Sequence, residues 1–484
     1  MAVLVAQRDV LDYYGIEQLN LTGGAGHDTL VGWGDRDTLN GNGGNDWLNS
    51  AAGTAVIDGG AGDDAWAANL TALNGAMVFN AADSQTTAQM TARNFSIRNI
   101  EQVSISLGAG NDSFSTAGYA LNDTMNGGLG NDTLNPGLGI DQVNGEAGTD
   151  LLVLNLLSID EAITYRDVGY GWWRYGTFND RMYTDYINFE RWNVTGGNGD
   201  DALAGGGLAD TLIGGTGNDT LNGGAGGADS INGGAGNDLW RMDVSGSNLA
   251  LTLTLTAAGA GTLVGNGTKL AGIENVQLST GSGNDTINLT AVVGNHVLNT
   301  NDGNDTIKVG RGSFNEVNGG GGTDFLTADA SNATASVRTV DKGYGWWAME
   351  AVDGSYSTRY INVDRFDFTG SAYNDRLGGF GGNDVLRGAA GRDILNGGGG
   401  NDTLYGGTGA DQFLFTSVSS NGVDLVADAA AGDVLRLEGV HINSLAAGNG
   451  AAVGQWEAQV QTVGGVTSLF VGLDGTVTLT SASI

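Results

Sequence analysis

The chain has 484 residues, of which 86 are Gly, one is Pro and none is Cys, and Asp plus Glu outnumber Lys plus Arg 54 to 20 for a formal charge of −34. No disulfide framework, thiol nucleophile or thiolate metal site is available to it, and with one Pro and no Gly-X-Y period it is not collagen. The acidic excess argues against nucleic acid or an anionic membrane as a partner, while 40% hydrophobic residues suffice to bury a core.

From the N-terminus, residues 1–22 read as part of an insert with edge strands, and a Gly-Asp block follows over 23–64 with Asp28, Asp37, Asp46 and Asp64. A β insert covers 65–107. The block at 108–150 carries Asp112, Asp123, Asp132, Asp141 and Asp150, and an aromatic insert covers 151–195. The block at 196–238 carries Asp201, Asp210, Asp219, Asp229 and Asp238, and a second β insert covers 239–280. The block at 281–324 carries Asp285, Asp305 and Asp324, before a second aromatic insert at 325–369. The last block, 370–411, carries Asp375, Asp384, Asp393, Asp402 and Asp411, and a β cap fills 412–484.

Two periods underlie this order. In the last block Asp recurs every nine residues, each closing a Gly-rich hexapeptide such as Gly397-Gly-Gly-Gly-Asn-Asp402, and a triplet with a central apolar residue follows, such as Thr403-Leu-Tyr405. Three residues make a minimal strand with one side chain inward, and six Gly-rich residues reverse the chain. Two nonapeptides return the chain to its start, so residues 18 apart are expected to stack at one strand spacing, ~4.8 Å. Carboxylates stacked that closely repel, and no Lys or Arg is placed regularly to offset them. A hard cation with oxygen ligands resolves the conflict, and calcium fits best.

The second period is about 174 residues: Gly169-Tyr-Gly-Trp-Trp173 recurs as Gly343-Tyr-Gly-Trp-Trp347, and Tyr186-Ile-Asn-Phe-Glu-Arg-Trp192 as Tyr360-Ile-Asn-Val-Asp-Arg-Phe366. Ile100-Glu-Gln-Val103 corresponds likewise to Ile273-Glu-Asn-Val276. Three departures stand out. Ala55 replaces an Asp in the first block, and His296 and Asn315 stand where the 108–150 block has Asp123 and Asp141. The edges that carry these replacements are expected to bind calcium weakly or not at all. Counting loops whose neighbour one coil on also has Asp gives about 13 calcium sites, enough to offset most of the charge of −34.

These Gly-Asp loops resemble the repeats-in-toxin family, the hemolysin-type calcium-binding nonapeptide repeats. The resemblance implies an all-β, right-handed parallel β-roll or β-solenoid with calcium in its loops, elongated and exported by a type I pathway. The stretch from Gln412-Phe-Leu-Phe415 to Gly475-Thr-Val-Thr-Leu-Thr-Ser-Ala-Ser-Ile484 resembles the C-terminal region of serralysin-like proteins, where a β cap carries the export signal. Type I export does not read the N-terminus, and Met1-Ala-Val-Leu-Val-Ala-Gln-Arg8 has too short an apolar run for a secretory signal. No run approaches 18 consecutive apolar residues, so no helical membrane span is expected.

The inserts differ in character. Leu249-Ala-Leu-Thr-Leu-Thr-Leu-Thr256 alternates as a strand does, so the β inserts read as further coils with longer turns. The aromatic inserts hold more bulk than a three-residue strand can face inward. Some of these rings are expected outside the coil, either on a hairpin packed along the flank or as a contact surface for sugars or proteins. Trp172, Trp173, Trp346 and Trp347 are the candidate interface or glycan contacts.

No His-Glu-x-x-His and no Gly-x-Ser-x-Gly occurs, and the three His (His27, His296, His441) have no partner pattern. A non-enzymatic role is expected. Asp12-Tyr13 aligns with Asp185-Tyr186, so the chain starts inside an aromatic insert and its first coil is expected to present an open edge. The sequence reading is of a secreted, extracellular or cell-surface calcium protein that self-assembles as a surface-layer, fibre or matrix component. The alternatives are an adhesin or carbohydrate-binding module that contacts surface polysaccharide, or the non-catalytic repeat region of a larger secreted hydrolase.

Overall fold

A computed structural model describes residues 2–5, 18–34, 36–50, 54–81, 88–90, 95–118, 121–312, 314–416, 423–438, 444–447, 457–463, 466–471 and 475–480. Among the described residues the structure is all β, with no helix. The chain divides into two units, 1–238 and 239–484. The alignment of Asp12-Tyr13, His441 and the hydroxyl-rich end at 481–484 lie outside the described residues.

In the first unit the strands after the Gly-rich loops pair in parallel one coil apart. Thr29 aligns with Trp47, Thr38 with Val56 and Thr133 with Leu151, each 18 residues on. Where the loop is longer the pitch lengthens, as for Ser113 with Thr133. The triplets place one side chain inward: Thr133–Asn135, Ala202–Ala204 and Thr220–Asn222 bury only their central Leu. Those Leu form columns, each fully buried side chain contributing ~2 kcal/mol. Leu30, Leu48 and Trp66 share one column.

The β insert of this unit is one long coil. Ala65–Asn69 pairs in parallel with Gln102–Ser106, and the interior there holds Trp66 in contact with Phe79, Phe95 and Phe114. The aromatic insert leaves the coil as an antiparallel meander of Ile163–Gly169, Trp172–Thr177 and Tyr183–Ile187. Its last strand rejoins the parallel stack against Ile140–Asn144.

The second unit repeats this plan. Leu253, Ile287, Ile307, Leu326 and Phe366 form one interior column. Its aromatic insert forms the same meander from Val337–Gly343, Trp346–Ala351 and Ser357–Ile361. The alternating run at 249–256 yields a strand only over Thr252–Thr254, because its partner, Thr286–Asn288, is itself three residues long. Leu251, Leu253 and Leu255 still face the core.

The parallel stack also runs past Asp411. Gln412–Thr416 pairs in parallel with Val434–Glu438 at a pitch of 22 residues. Only then does the chain turn antiparallel, through Glu457–Val463, Val466–Val471 and Gly475–Thr480.

Candidate metal centres

Each loop aspartate lies at the end of a Gly-rich turn and just ahead of a strand, so its backbone is fixed by the ladder and its side chain turns back into the loop. One carboxylate oxygen, Oδ1, accepts the backbone N–H of the equivalent aspartate one coil earlier. Asp28 donates to Asp46 at 2.8 Å and Asp46 to Asp64 at 2.7 Å. The chains Asp112–Asp132–Asp150, Asp201–Asp219–Asp238, Asp285–Asp305–Asp324 and Asp375–Asp393–Asp411 repeat this at 2.7–2.9 Å. Asp210 donates to Asp229, and Asp384 to Asp402. Stacked carboxylates are therefore linked through main-chain donors as well as repelling one another.

The second oxygen is the informative one. In Asp46, Asp64, Asp112, Asp132, Asp150, Asp219, Asp285, Asp305, Asp324, Asp384, Asp393, Asp402 and Asp411, Oδ2 is buried and has no hydrogen-bond partner. A buried anionic oxygen without a partner costs several kcal/mol. Burial raises these carboxyls, with neighbouring carboxylates adding to it: Asp64 to about 6, and Asp132, Asp219 and Asp393 to about 7.

That oxygen points into a gap kept open by glycine. A Cβ on Gly127 would lie 2.5 Å from Asp132 Oδ2 and 2.8 Å from the carbonyl oxygen of Gly145 on the next coil. Gly370, Gly379 and Gly388 stand in the same relation to Asp375, Asp384 and Asp393. A carboxylate oxygen and a carbonyl oxygen thus converge on a space where a side chain is excluded. Among the described residues no three His, Cys, Asp or Glu side chains converge on a point, so carbonyls must complete any coordination. That hard, all-oxygen donor set suits calcium, and the orphaned oxygens and glycine gaps fit it.

The sites are not uniform. In Asp28, Asp37, Asp201, Asp210 and Asp375 the second oxygen accepts a loop N–H, from Gly24, Gly34, Gly197, Gly206 and Ser371 respectively. Asp37 aligns with Ala55, which offers no carboxylate. Asp123 and Asp141 differ again, since their Oδ2 atoms accept the hydroxyls of Thr116 and Thr184 at 2.7 and 3.4 Å. On the equivalent edge of the second unit, His296 aligns with Asn315 and both are wholly buried. Burial holds the His296 imidazole down to about 4, so it is neutral there. His27 lies in its loop with Nδ1 accepting the Asn45 N–H at 2.7 Å.

Two aspartates that the nine-residue period does not mark continue the ladders. Asp402 donates to Asp424 Oδ1 at 3.0 Å and Asp411 to Asp433 Oδ1 at 2.9 Å. Both lie 22 residues on, after a loop without the Gly-Gly-x-Gly-x pattern, so spacing alone conceals them.

Of the four candidate aromatic contacts, Trp173 and Trp347 each border a cleft. Trp173 is 42% exposed and stacks on Tyr165 at 6.4 Å. With Tyr186, Phe189 and Trp192 it lines a cleft of about 480 Å³. Trp347 packs on Phe380 at 4.1 Å and, with Tyr360 and Phe366, lines one of about 370 Å³. Trp172 and Trp346 are half-buried on the hairpins, Trp346 beneath the Arg359 guanidinium. At the hairpin tips, Tyr170 and Tyr344 are fully exposed.

A family model described as the RTX calcium-binding nonapeptide repeat matches residues 20–48, 108–143, 117–152, 195–227, 226–239, 368–395 and 378–413. The block at 281–324 lies outside those matches, although its aspartate ladder has the same geometry. No curated protein matches the chain. Among solved structures it is similar to the extracellular lipase of Serratia marcescens, at 19% identity with a TM-score of 0.16. That match covers 43% of this chain and 38% of the lipase chain. The matched stretches, built as ladders of aspartate over glycine gaps, are RTX calcium-binding nonapeptide repeats.

Proposed function

We propose that this is an exported, non-catalytic structural protein that folds when it meets calcium and then associates with copies of itself in a surface layer, fibre or matrix. The observation that carries the folding half is the row of buried aspartate Oδ2 atoms without a protein partner, which a bound cation would satisfy while also offsetting their charge. Such a chain is poorly folded where free calcium is scarce, and able to thread a type I export channel. Outside the cell, calcium that binds only the fold stabilises it by mass action. The assembly half is supported by exposed aromatic hairpin tips repeated once per unit, at Tyr170 and Tyr344. Circular dichroism with chelator and with calcium tests the first half, since equal β content in both overturns it. Light scattering during calcium addition tests the second, since a chain that folds but stays monomeric is not a lattice former.

A second reading, adhesion through carbohydrate, is favoured by the two aromatic clefts beside Trp173 and Trp347. Flat aromatic faces beside small polar groups suit pyranose rings. Selective retention on a glycan array supports it.

A further inference from the structure

Each of three aspartate ladders stops where an insert leaves the coil, at Asp64, Asp150 and Asp324. By spacing, these last loops lack a following partner. In the structure the returning strand supplies one. Asp64 N–H donates to Glu101 Oε2 at 2.8 Å, Asp150 N–H to Glu190 Oε2 at 2.9 Å and Asp324 N–H to Asp364 Oδ2 at 2.8 Å. These acids take the place that the next aspartate holds inside a block, although they lie 37 to 40 residues on.

The carbonyl is replaced as well. Inside a block, the gap at a loop glycine faces the carbonyl of the glycine one coil on. At the ends, the gaps at Gly59, Gly145 and Gly319 face the carbonyl oxygens of Asn99, Asn188 and Asn362. All three asparagines are left-handed, with φ of 51°, 57° and 54°. Their side chains are anchored, to Asp58, Asn144 and Asn318 at 2.7–2.9 Å. Asn is among the few residues with a side chain that tolerate this conformation, which turns the carbonyl toward the loop.

The last aspartate still has its second oxygen to satisfy. Asp64, Asp150 and Asp324 are wholly buried, and the Oδ2 of each is unpartnered. The incoming acid makes matters worse, because its charge repels the aspartate in all three places. The arginines that flank these triplets in sequence are engaged elsewhere: Arg98 pairs with Asp58, Arg191 reaches the Ala209 carbonyl and Arg365 lies over the Phe325 ring.

We propose that each of these three ladder ends is one more calcium site, closed by the insert: the last aspartate's Oδ2, the left-handed asparagine's carbonyl and the acid two residues after it are the ligands. This rests on the calcium reading above. It gives the Asn-apolar-acid triplets Asn99-Ile-Glu101, Asn188-Phe-Glu190 and Asn362-Val-Asp364 a defined task, which is to clamp the end of each insert to the block it left.

The test uses the full chain and equilibrium dialysis against radiolabelled calcium. Glu101→Gln, Glu190→Gln and Asp364→Asn keep an oxygen that accepts the aspartate N–H but remove the charge. If the acids were only hydrogen-bond caps, the ion count would not change. As calcium ligands, each single variant binds about one ion fewer and the triple variant about three fewer, with β content at saturating calcium retained. A triple variant that binds the wild-type number overturns the inference. Should the triple variant fail to fold, three single variants with undiminished counts overturn it equally. A wild-type chain that holds no calcium overturns the calcium reading itself, and this proposal with it.

Discussion

Glycine at the fifth position before a ladder aspartate acts through what it leaves out. Gly127 is not in the left-handed region, so alanine fits its backbone, and such a change ordinarily stabilises a fold by ~0.4–1 kcal/mol through the unfolded chain. Here the added carbon would lie 2.5 Å from Asp132 Oδ2 and fill the gap between two oxygens. Gly127→Ala is therefore expected to bind about one calcium ion fewer and to melt at a lower temperature in calcium. Gly75→Ala, where nothing lies within 4 Å of the new carbon, should melt at or above the wild-type temperature. Calorimetry on both variants checks the contrast, and equal melting points would remove the gap from the argument. The aspartates give a pH dependence of definite sign. Burial raises Asp64 to about 6 and Asp132, Asp219 and Asp393 to about 7 in the metal-free fold, above the ordinary Asp value of ~3.9. The fold then holds protons that the unfolded chain has released. Their contribution is fully present below the ordinary value and is lost as pH rises through 6 to 7. In chelator, β content followed by circular dichroism should fall from pH 5 to pH 8, whereas with saturating calcium it should hold or rise. A chelated chain that gains structure with rising pH contradicts this.

The aromatic hairpins join a local turn rule to an exposed surface. Each ends in a two-residue turn, Tyr170-Gly171 or Tyr344-Gly345, with φ of 56° and 84° or 55° and 83°. Such turns favour Asn-Gly, because both positions need positive φ. A tyrosine there is a poor choice for the turn and a good one for a contact. The double variant Tyr170→Asn, Tyr344→Asn should keep or raise the melting temperature while calcium-dependent light scattering falls to the monomer level; undiminished scattering would place the contact elsewhere. The repeated Gly-Tyr-Gly-Trp-Trp motif made these hairpins visible in the sequence, as the nine-residue period did the 18-residue coils. Both are legible because the backbone conformation demands particular residues at fixed spacing. The ladder continuations at Asp424 and Asp433 are not, since a 22-residue coil reaches the same register through a loop with no fixed glycines. Glu101, Glu190 and Asp364 are harder still, because whole inserts lie between them and the aspartates they meet. The hydroxyls on Asp123 and Asp141 were equally hidden, Thr184 lying 43 residues beyond Asp141. The alternation at 249–256 extends beyond the strand Thr252–Thr254 for a related reason: it reports which side chains face inward, whereas ladder length depends on the partner.

Each unit joins thin apolar columns to ladders of buried acid, and the balance between them decides when the chain folds. The columns hold about one large side chain per triplet, so a coil contributes little hydrophobic burial relative to the entropy of ordering its glycines. Against a formal charge of −34, cations can act in two ways that predict different results. Screening by salt would weaken repulsion between carboxylates at the surface, yet it reaches buried pairs poorly. Coordination would supply the missing partner for each orphaned Oδ2, and free calcium at a hundredfold over Kd adds ~2.7 kcal/mol per site. Three such sites alone match the net stability of a typical domain. Magnesium should not substitute, because it demands a near-ideal octahedron at short distance and keeps its water. The melting temperature should therefore climb with calcium, stay low in magnesium at the same concentration, and stay low in sodium chloride at the same ionic strength. If sodium chloride restores the calcium value, the ladders need only a screened environment, and the gaps beneath their glycines are not ion sites.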